Sequence, residues 1–148
     1  MSRLTHWDGR CQTACLAVTL GVAALVRGEP ADRAIVTAVE AVAEREGGEE
    51  LEYLVGEAGR ARQLDGPDQG FTLFTAGIAL QVAGEGRGFE EGLRHAVGLG
   101  GDTDTNAAVA GALLGAAVGV DAIPIAWLDV LADREALRDE ASTLAALS

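Results

Sequence analysis

The stretch GLGGDTDTNAAVAG, residues 98–111, crowds oxygen-bearing side chains at the mouth of an Ala/Gly-rich run. Asp102 and Asp104 alternate there, with Thr103, Thr105 and Asn106 beside them. Carboxylates and hydroxyls are hard donors that suit Mg2+, Mn2+ or Ca2+. Thr105 lies three positions on from Asp102, so one helical turn brings the two to the same side. No His or Cys falls inside the segment to argue for a softer metal. A bland reading competes: Asp102 or Thr103 caps the following helix, and Asp104 sits favourably in its first turn. Spacing alone leaves both open. Two other motifs fail. DTDTN matches the start of an EF-hand loop, but Ala107 stands where Gly is needed and Leu113 where Glu is needed. GLGGDT has no strand before it, which removes the dinucleotide fingerprint.

The elements that must position these groups read as helices nearly throughout. A first helix covers about Asp8–Val26 and stops at Gly28. Pro30 opens a second, in which Ile35, Ala38, Val39 and Val42 follow the i, i+3, i+4, i+7 pattern. After Gly47-Gly48 a third repeats it with Leu51, Leu54, Val55 and Ala58, and carries Glu49, Glu50, Glu57, Arg60 and Arg62 on its charged face. LDGPDQG, 64–70, is the clearest loop. Further helices are expected over about Phe71–Val82, Phe89–Val97, the run after the aspartates to about Gly119, a short one after Pro124, and an amphipathic one over Arg134–Leu147. No stretch alternates apolar and polar residues long enough to be a strand. The fold class is therefore all-α: a single domain, 1–148, a compact multi-helix bundle around a central Ala/Gly-rich helix. Gly111, Gly115 and Gly119 lie four apart, which predicts a central helix packed on all sides.

Composition narrows the function classes. Apolar residues make up 49% of 148, enough for a core, while aromatics are only 4%. Formal charge is −12, from 11 basic and 23 acidic residues, and the chain has no Lys. Phosphate-backbone binding needs clustered positive charge, so nucleic acid is not an expected partner. Cys11 and Cys15 lack a second ligand pair for structural zinc and read as buried free thiols, which fits a reducing, cytoplasmic compartment. No basic segment precedes an apolar one in the manner of a secretory signal. The uncharged runs Cys11–Val26 and Thr105–Val120 are each shorter than the roughly 20 residues a membrane span needs, so both are expected to be buried core helices, with no membrane partner.

GLGGDTDTNAAVAGALLGA closely resembles the C-terminal signature of the ADP-ribosylglycohydrolase family. LTHWD, Leu4–Asp8, resembles a second block, a Thr-His motif opening a helix. QGFTLFTAGIAL (69–80), FEEGLRHAVGLGG (89–101) and IPIAWLDVL resemble the remaining stretches of the family's second half. The resemblance implies an all-α fold holding a pair of Mg2+ or Mn2+ ions and a hydrolase acting on the glycosidic bond between ADP-ribose and a protein side chain, or on a related ADP-ribose derivative. By motif match Asp102 and Asp104 are catalytic residues, and Asp102, Asp104 and Thr105 are metal ligands. Gly100, Gly101 and Thr103 shape the turn beside the substrate, with His6 near the cleft and Phe71 a candidate to stack on a base or ribose. His95 is expected at the solvated surface. Where the family often has an acidic residue in QGFTLFTAG, this chain has Phe74.

The match departs from the family in one chemical respect. Family members also carry a Gly-Asp block and a Thr-Asp-Asp trio that complete the metal pair, and this chain has no Asp-Asp pair anywhere. Two carboxylates and a hydroxyl suffice for at most one Mg2+, with waters completing its octahedron. The expectation is a truncated hydrolase with little activity alone, needing a polypeptide that supplies the N-terminal half. The alternative is a non-catalytic Mg2+ or ADP-ribose binding module or a scaffolding fragment. Faces meant for the absent half would be apolar, so self-association is expected.

Overall fold

Glycine and proline divide the chain into helices much as their backbone limits demand. In the computed structural model, which describes residues 2–57 and 70–146, helix α1 spans Gly9–Val26 and α2 spans Ala31–Glu40. Between them Gly28 takes φ +81, a left-handed conformation costly for residues with a Cβ. Pro30 sits at the N-cap of α2, one place before the first helical residue. Then come α3 (Gly48–Glu57), α4 (Thr72–Gly84), α5 (Phe89–Gly98), α6 (Thr103–Val118), α7 (Ile125–Asp129) and α8 (Arg134–Ala145). No strand occurs among the described residues, and the molecule is an all-α bundle. The expected loop at 64–69, Ala58, and the Arg60 and Arg62 positions lie outside the described residues.

The core forms around α4. Leu73, Thr75 to Leu80, Val82 and Ala83 are all buried, so this helix is covered on every side. Complete burial of side chains such as Leu73, Ile78 and Leu80 stabilises by about 1.5–3 kcal/mol each. Helices α1, α2, α3, α5 and α6 pack against it. The periodic residues expected to face inward do so: Ile35, Ala38, Val39, Val42, Leu51 and Leu54 are buried, and Val55 is partly so. Gly77 lets α3 come close, since a Cβ there would lie 2.7 Å from the Leu54 Cβ. Thr13, fully buried on α1, donates its hydroxyl to the Glu46 carbonyl at 2.9 Å and so ties α1 to the turn before α3.

Two expectations need correction here. The glycines of α6 do not mark a helix packed on all sides. Only Asn106, Ala110, Leu113 and Leu114 of α6 are buried, and Gly119 is exposed at its C-terminal end. Nor is α1 a fully buried rod. It is long and apolar enough to cross a membrane by length and composition, yet only 33% of it is buried in the bundle. Thr19 and Val26 face solvent, and so does Cys15, while Cys11 is half-buried, so the two thiols are not the buried pair expected. The reason is common to both helices. Ala, Gly and Thr make an uncharged run without saying which flank needs cover. Helix α8 contributes no buried residue, and α7 is fixed to α5 by Trp127, 6.2 Å edge-on from Phe89 with Arg94 5.4 Å from its ring.

Candidate functional site

The turn that delivers the two aspartates is built by consecutive glycines. Gly100 and Gly101 have φ +81 and +70, a pair of left-handed residues that reverses the chain between α5 and α6. Asp102 follows at the N-cap position of α6, where its carbonyl accepts from the Asn106 amide at 2.9 Å. Its side chain makes no capping hydrogen bond. The Asp102 carboxyl instead lies within hydrogen-bonding reach of the Asp104 carboxyl. Asp104 is exposed, and its Oδ1 accepts from the Thr105 amide at 3.0 Å. The bond from Asp102, then those from the Thr105 amide and its own, hold the Asp104 carboxyl below the usual carboxylate range.

Two acids face each other here, and among the described residues no basic side chain forms an ion pair with either. The capping reading therefore accounts for the backbone position of Asp102 and not for its side chain. Thr105 is exposed beside them and Thr103 is half-buried as the first helical residue. Two carboxylates with a neighbouring hydroxyl fit one flank of a hard divalent cation. They do not fit a complete two-ion cage: among the described residues no group of three or more His, Cys, Asp or Glu side chains converges on one point.

Asn106 holds this turn to the core, a role the sequence reading missed. It is 3% exposed, accepts from the Thr75 hydroxyl at 2.9 Å and reaches the Gly100 carbonyl at 3.4 Å through its amide nitrogen. The signal available was an Asn inside an otherwise Ala-rich helical run, where a polar side chain needs a partner to be buried.

Three helices begin at this end of the bundle. Gly70, just before α4, abuts Asp102: a Cβ on it would lie 3.6 Å from the Asp102 Oδ2. Phe71 is the N-cap residue of α4, half-buried, with its ring 5.3 Å edge-on from Phe74. It is thus partly a core residue, and its outer face is covered by Arg10, whose guanidinium lies 5.1 Å from the ring. Arg10 belongs to the first turn of α1 and grips the N-cap Asp8 through two hydrogen bonds, Nε to Oδ1 at 3.1 Å and Nη2 to Oδ2 at 2.9 Å. That side-chain bond brings the Asp8 carboxyl down to about 2. The chain Asp8, Arg10, Phe71, Gly70, Asp102 thus joins the N-termini of α1, α4 and α6, whose dipoles all favour negative charge at this end. His6 lies outside that chain, on an exposed turn with its Nδ1 3.1 Å from the Thr5 hydroxyl. His95 is half-buried on α5, not fully solvated as expected.

Comparison with known proteins bears on these residues. The family model for ADP-ribosylglycohydrolase matches residues 1–148. A curated relative, ADP-ribosylhydrolase ARH3 of Danio rerio, is 50% identical over 40 residues, covering 27% of this chain and 11% of the relative. An uncharacterized protein of Archaeoglobus fulgidus is 49% identical over 59 residues, 40% of this chain and 19% of the relative. The matched segments therefore span under a fifth of either relative's length. No solved structure matches.

Proposed function

The chain belongs to the ADP-ribosylglycohydrolase family, and on that premise we propose that it is one part of a metal-dependent hydrolase cleaving the bond between ADP-ribose and a protein side chain. The observation that carries this reading is the pair of facing carboxylates at the head of α6, held without an ion-pair partner among the described residues. Like charges so placed repel unless a proton or a cation lies between them. Asp102, Asp104 and Thr105 are the residues that would hold Mg2+ or Mn2+. When bound, such an ion supplies Lewis acidity toward a ribose oxygen and orients water. In the reaction, water oxygen joins the anomeric carbon as the bond to the side-chain atom breaks. One proton of that water stays on its oxygen as the anomeric hydroxyl of the product and the other passes to the leaving side-chain atom, with Asp102 and Asp104 the candidates to relay it.

The chain's own residues prepare that step. The left-handed Gly100–Gly101 turn leaves backbone without Cβ atoms beside the acids, where a ribose diphosphate can approach. Asn106 fixes the turn from below. Since no third acid converges on the site among the described residues, a full catalytic centre would draw further carboxylates from beyond the described residues. The same shortage favours a second reading, ADP-ribose or metal binding without turnover.

The test separates them. Mn2+ binding, followed by electron paramagnetic resonance, is expected for the chain and lost in Asp102→Asn and Asp104→Asn. Equal binding by all three would overturn the metal assignment. Turnover of an ADP-ribosylated peptide is expected to be little or none with the chain and Mg2+ alone. It should appear only when complementing acidic ligands are provided, and its absence then would favour the binding module.

A further inference from the structure

A groove beside the first turn of α1 has a lining that the hydrolase reading does not use. Arg3, Trp7, Gly9, Gln12, Arg45 and Glu46 border an open hollow of about 330 Å3. Most of the described arginines grip a carboxylate, as Arg10 grips Asp8. Arg3 and Arg45 pair with none among the described residues, although the chain holds 23 acids against 11 bases. Both are exposed, and both border this groove. Trp7 is 76% exposed between them, in a chain poor in aromatics. Its ring is not loose. The Arg3 guanidinium lies 5.0 Å from the ring centre, and Arg3 Nε donates to Gln12 Oε1 of α1 at 2.7 Å. An indole braced in the open has little side-chain freedom left to lose when a ligand covers it. Trp and Arg are also the residue types that carry most of the energy at protein interfaces.

We infer that this groove takes a mildly acidic peptide segment of a partner protein, with a carboxylate held between Arg3 and Arg45 and an apolar side chain laid on Trp7. The partner rests on the proposed hydrolase reading: the segment flanks the ADP-ribosylated side chain. Guanidinium groups serve carboxylate and phosphate alike, and the rest of the lining decides between them. Glu46 stands in the same groove, its carboxylate against Gly9 at the start of α1. A phosphate dianion brings that charge only acceptors and repulsion, whereas a peptide offers it N–H donors. Glu44, Glu49 and Glu50 border the neighbouring hollow that shares Arg45, which further disfavours a highly charged anion. Position supports the substrate role. Gly9 opens α1, and Gly47, next to Glu46, rests on the Arg10 side chain. The groove therefore lies at the end of the bundle where α4 and α6 also begin. An extended peptide advances about 3.3 Å per residue, so a few residues lead from the groove past Arg10 and Phe71 to the acid pair.

Trp7 itself reports on occupancy. Trp127→Phe leaves it as the one indole of the chain, and its fluorescence then reads the groove. In that background a blocked hexapeptide of two glutamates, two leucines and two glycines is expected to shift the emission saturably. Its lysine counterpart should bind weaker by on the order of tenfold. Arg45→Gln should weaken the acidic peptide about three- to fivefold, with melting unchanged. Arg3→Gln should weaken it at least as much, since it also releases Trp7. The same peptide carrying ADP-ribose at one end should bind tighter in the presence of Mg2+, by about tenfold or more. No saturable shift, equal binding of the two peptides, or parent-strength binding by Arg45→Gln overturns the proposal. So does AMP binding tighter than the acidic peptide, and no gain from the attached ADP-ribose overturns the substrate role. Binding of the unmodified peptide is expected to survive Asp102→Asn, in which Mn2+ binding is lost. Failure of the metal reading and failure of the groove therefore give different results.

Discussion

Asn106→Ala is the sharpest test of how the turn is held. The side chain is 3% exposed and takes the Thr75 hydroxyl at 2.9 Å, itself 8% exposed. Truncation leaves that hydroxyl without its acceptor and the Gly100 carbonyl without its 3.4 Å contact. An unsatisfied buried polar group costs about 1–3 kcal/mol, and the void left by a carboxamide adds somewhat under 1 kcal/mol at about 24 cal/mol per Å3. Thr75 recovers part of the loss if its hydroxyl turns to the carbonyl one helical turn back. The net expectation is a destabilisation of about 2–3 kcal/mol, which for a domain of this size lowers the melting temperature by about 4–12 °C. Melting followed by circular dichroism and urea titration both read it. Thr75→Val removes the same bond from the other side, so the double variant should cost less than the two singles together, with a coupling of about 1 kcal/mol or more. Mn2+ affinity should also fall in Asn106→Ala, although no proposed ligand is removed. A melting temperature within about 1 °C of the parent, or strict additivity with Thr75→Val, would refute the claim that this bond anchors the turn.

Other outcomes follow from the same geometry. Gly77→Ala places a Cβ 2.7 Å from the Leu54 Cβ and 3.5 Å from the Leu54 carbonyl carbon, so it should destabilise by about 1–3 kcal/mol in a denaturant melt despite the better helix former. Gly56→Ala, helical with nothing within 4 Å of the new Cβ, should instead raise stability by up to about 1 kcal/mol. Equal signs at the two positions would show that the α3–α4 approach is looser than described. Asp8→Asn keeps an N-cap oxygen and loses the ion pair with Arg10. The Asp8 carboxyl is lowered to about 2 in the folded chain, below its unfolded value near 3.9. Its stabilising contribution is therefore present at neutral pH and lost as pH falls from about 4 through about 2. The parent should melt slightly above Asp8→Asn at pH 7, by a small margin because the pair is exposed, and the gap should close near pH 2. A gap that persists unchanged at pH 2 would remove the ion pair as its cause.

How far these features were legible depends on what kind of residue carries them. Boundaries were written by residues with hard backbone limits: Gly28 at φ +81 and Pro30 at φ −54 separate α1 from α2, and Pro124 opens α7. Burial was legible where polar and apolar residues alternate along a helix, as in Ile35, Ala38 and Val39. It was not legible in α1, α4 and α6, which are apolar all round and differ mainly in how many neighbours cover them. Only α4 is enclosed. Composition cannot separate these cases, because Ala and Gly tolerate cover and do not demand it. The glycines show the same limit: Gly77 marks a close approach of two helices and Gly115 does not, though both sit mid-helix.

The aspartate pair was legible as a candidate because two carboxylates and two hydroxyls crowd one helix mouth, while spacing alone left capping and metal binding both open. What the string DTDTN did not reveal is that its last letter faces inward, to Thr75, while its third faces out. That division gives α6 two sides with different surroundings. Its inner side is satisfied by Asn106, Ala110, Leu113 and Leu114 in the core. Elsewhere on the helix Asp104 and Ala108 are exposed, while Gly111 and Gly115 are half-buried beside Leu93 and Phe89 of α5.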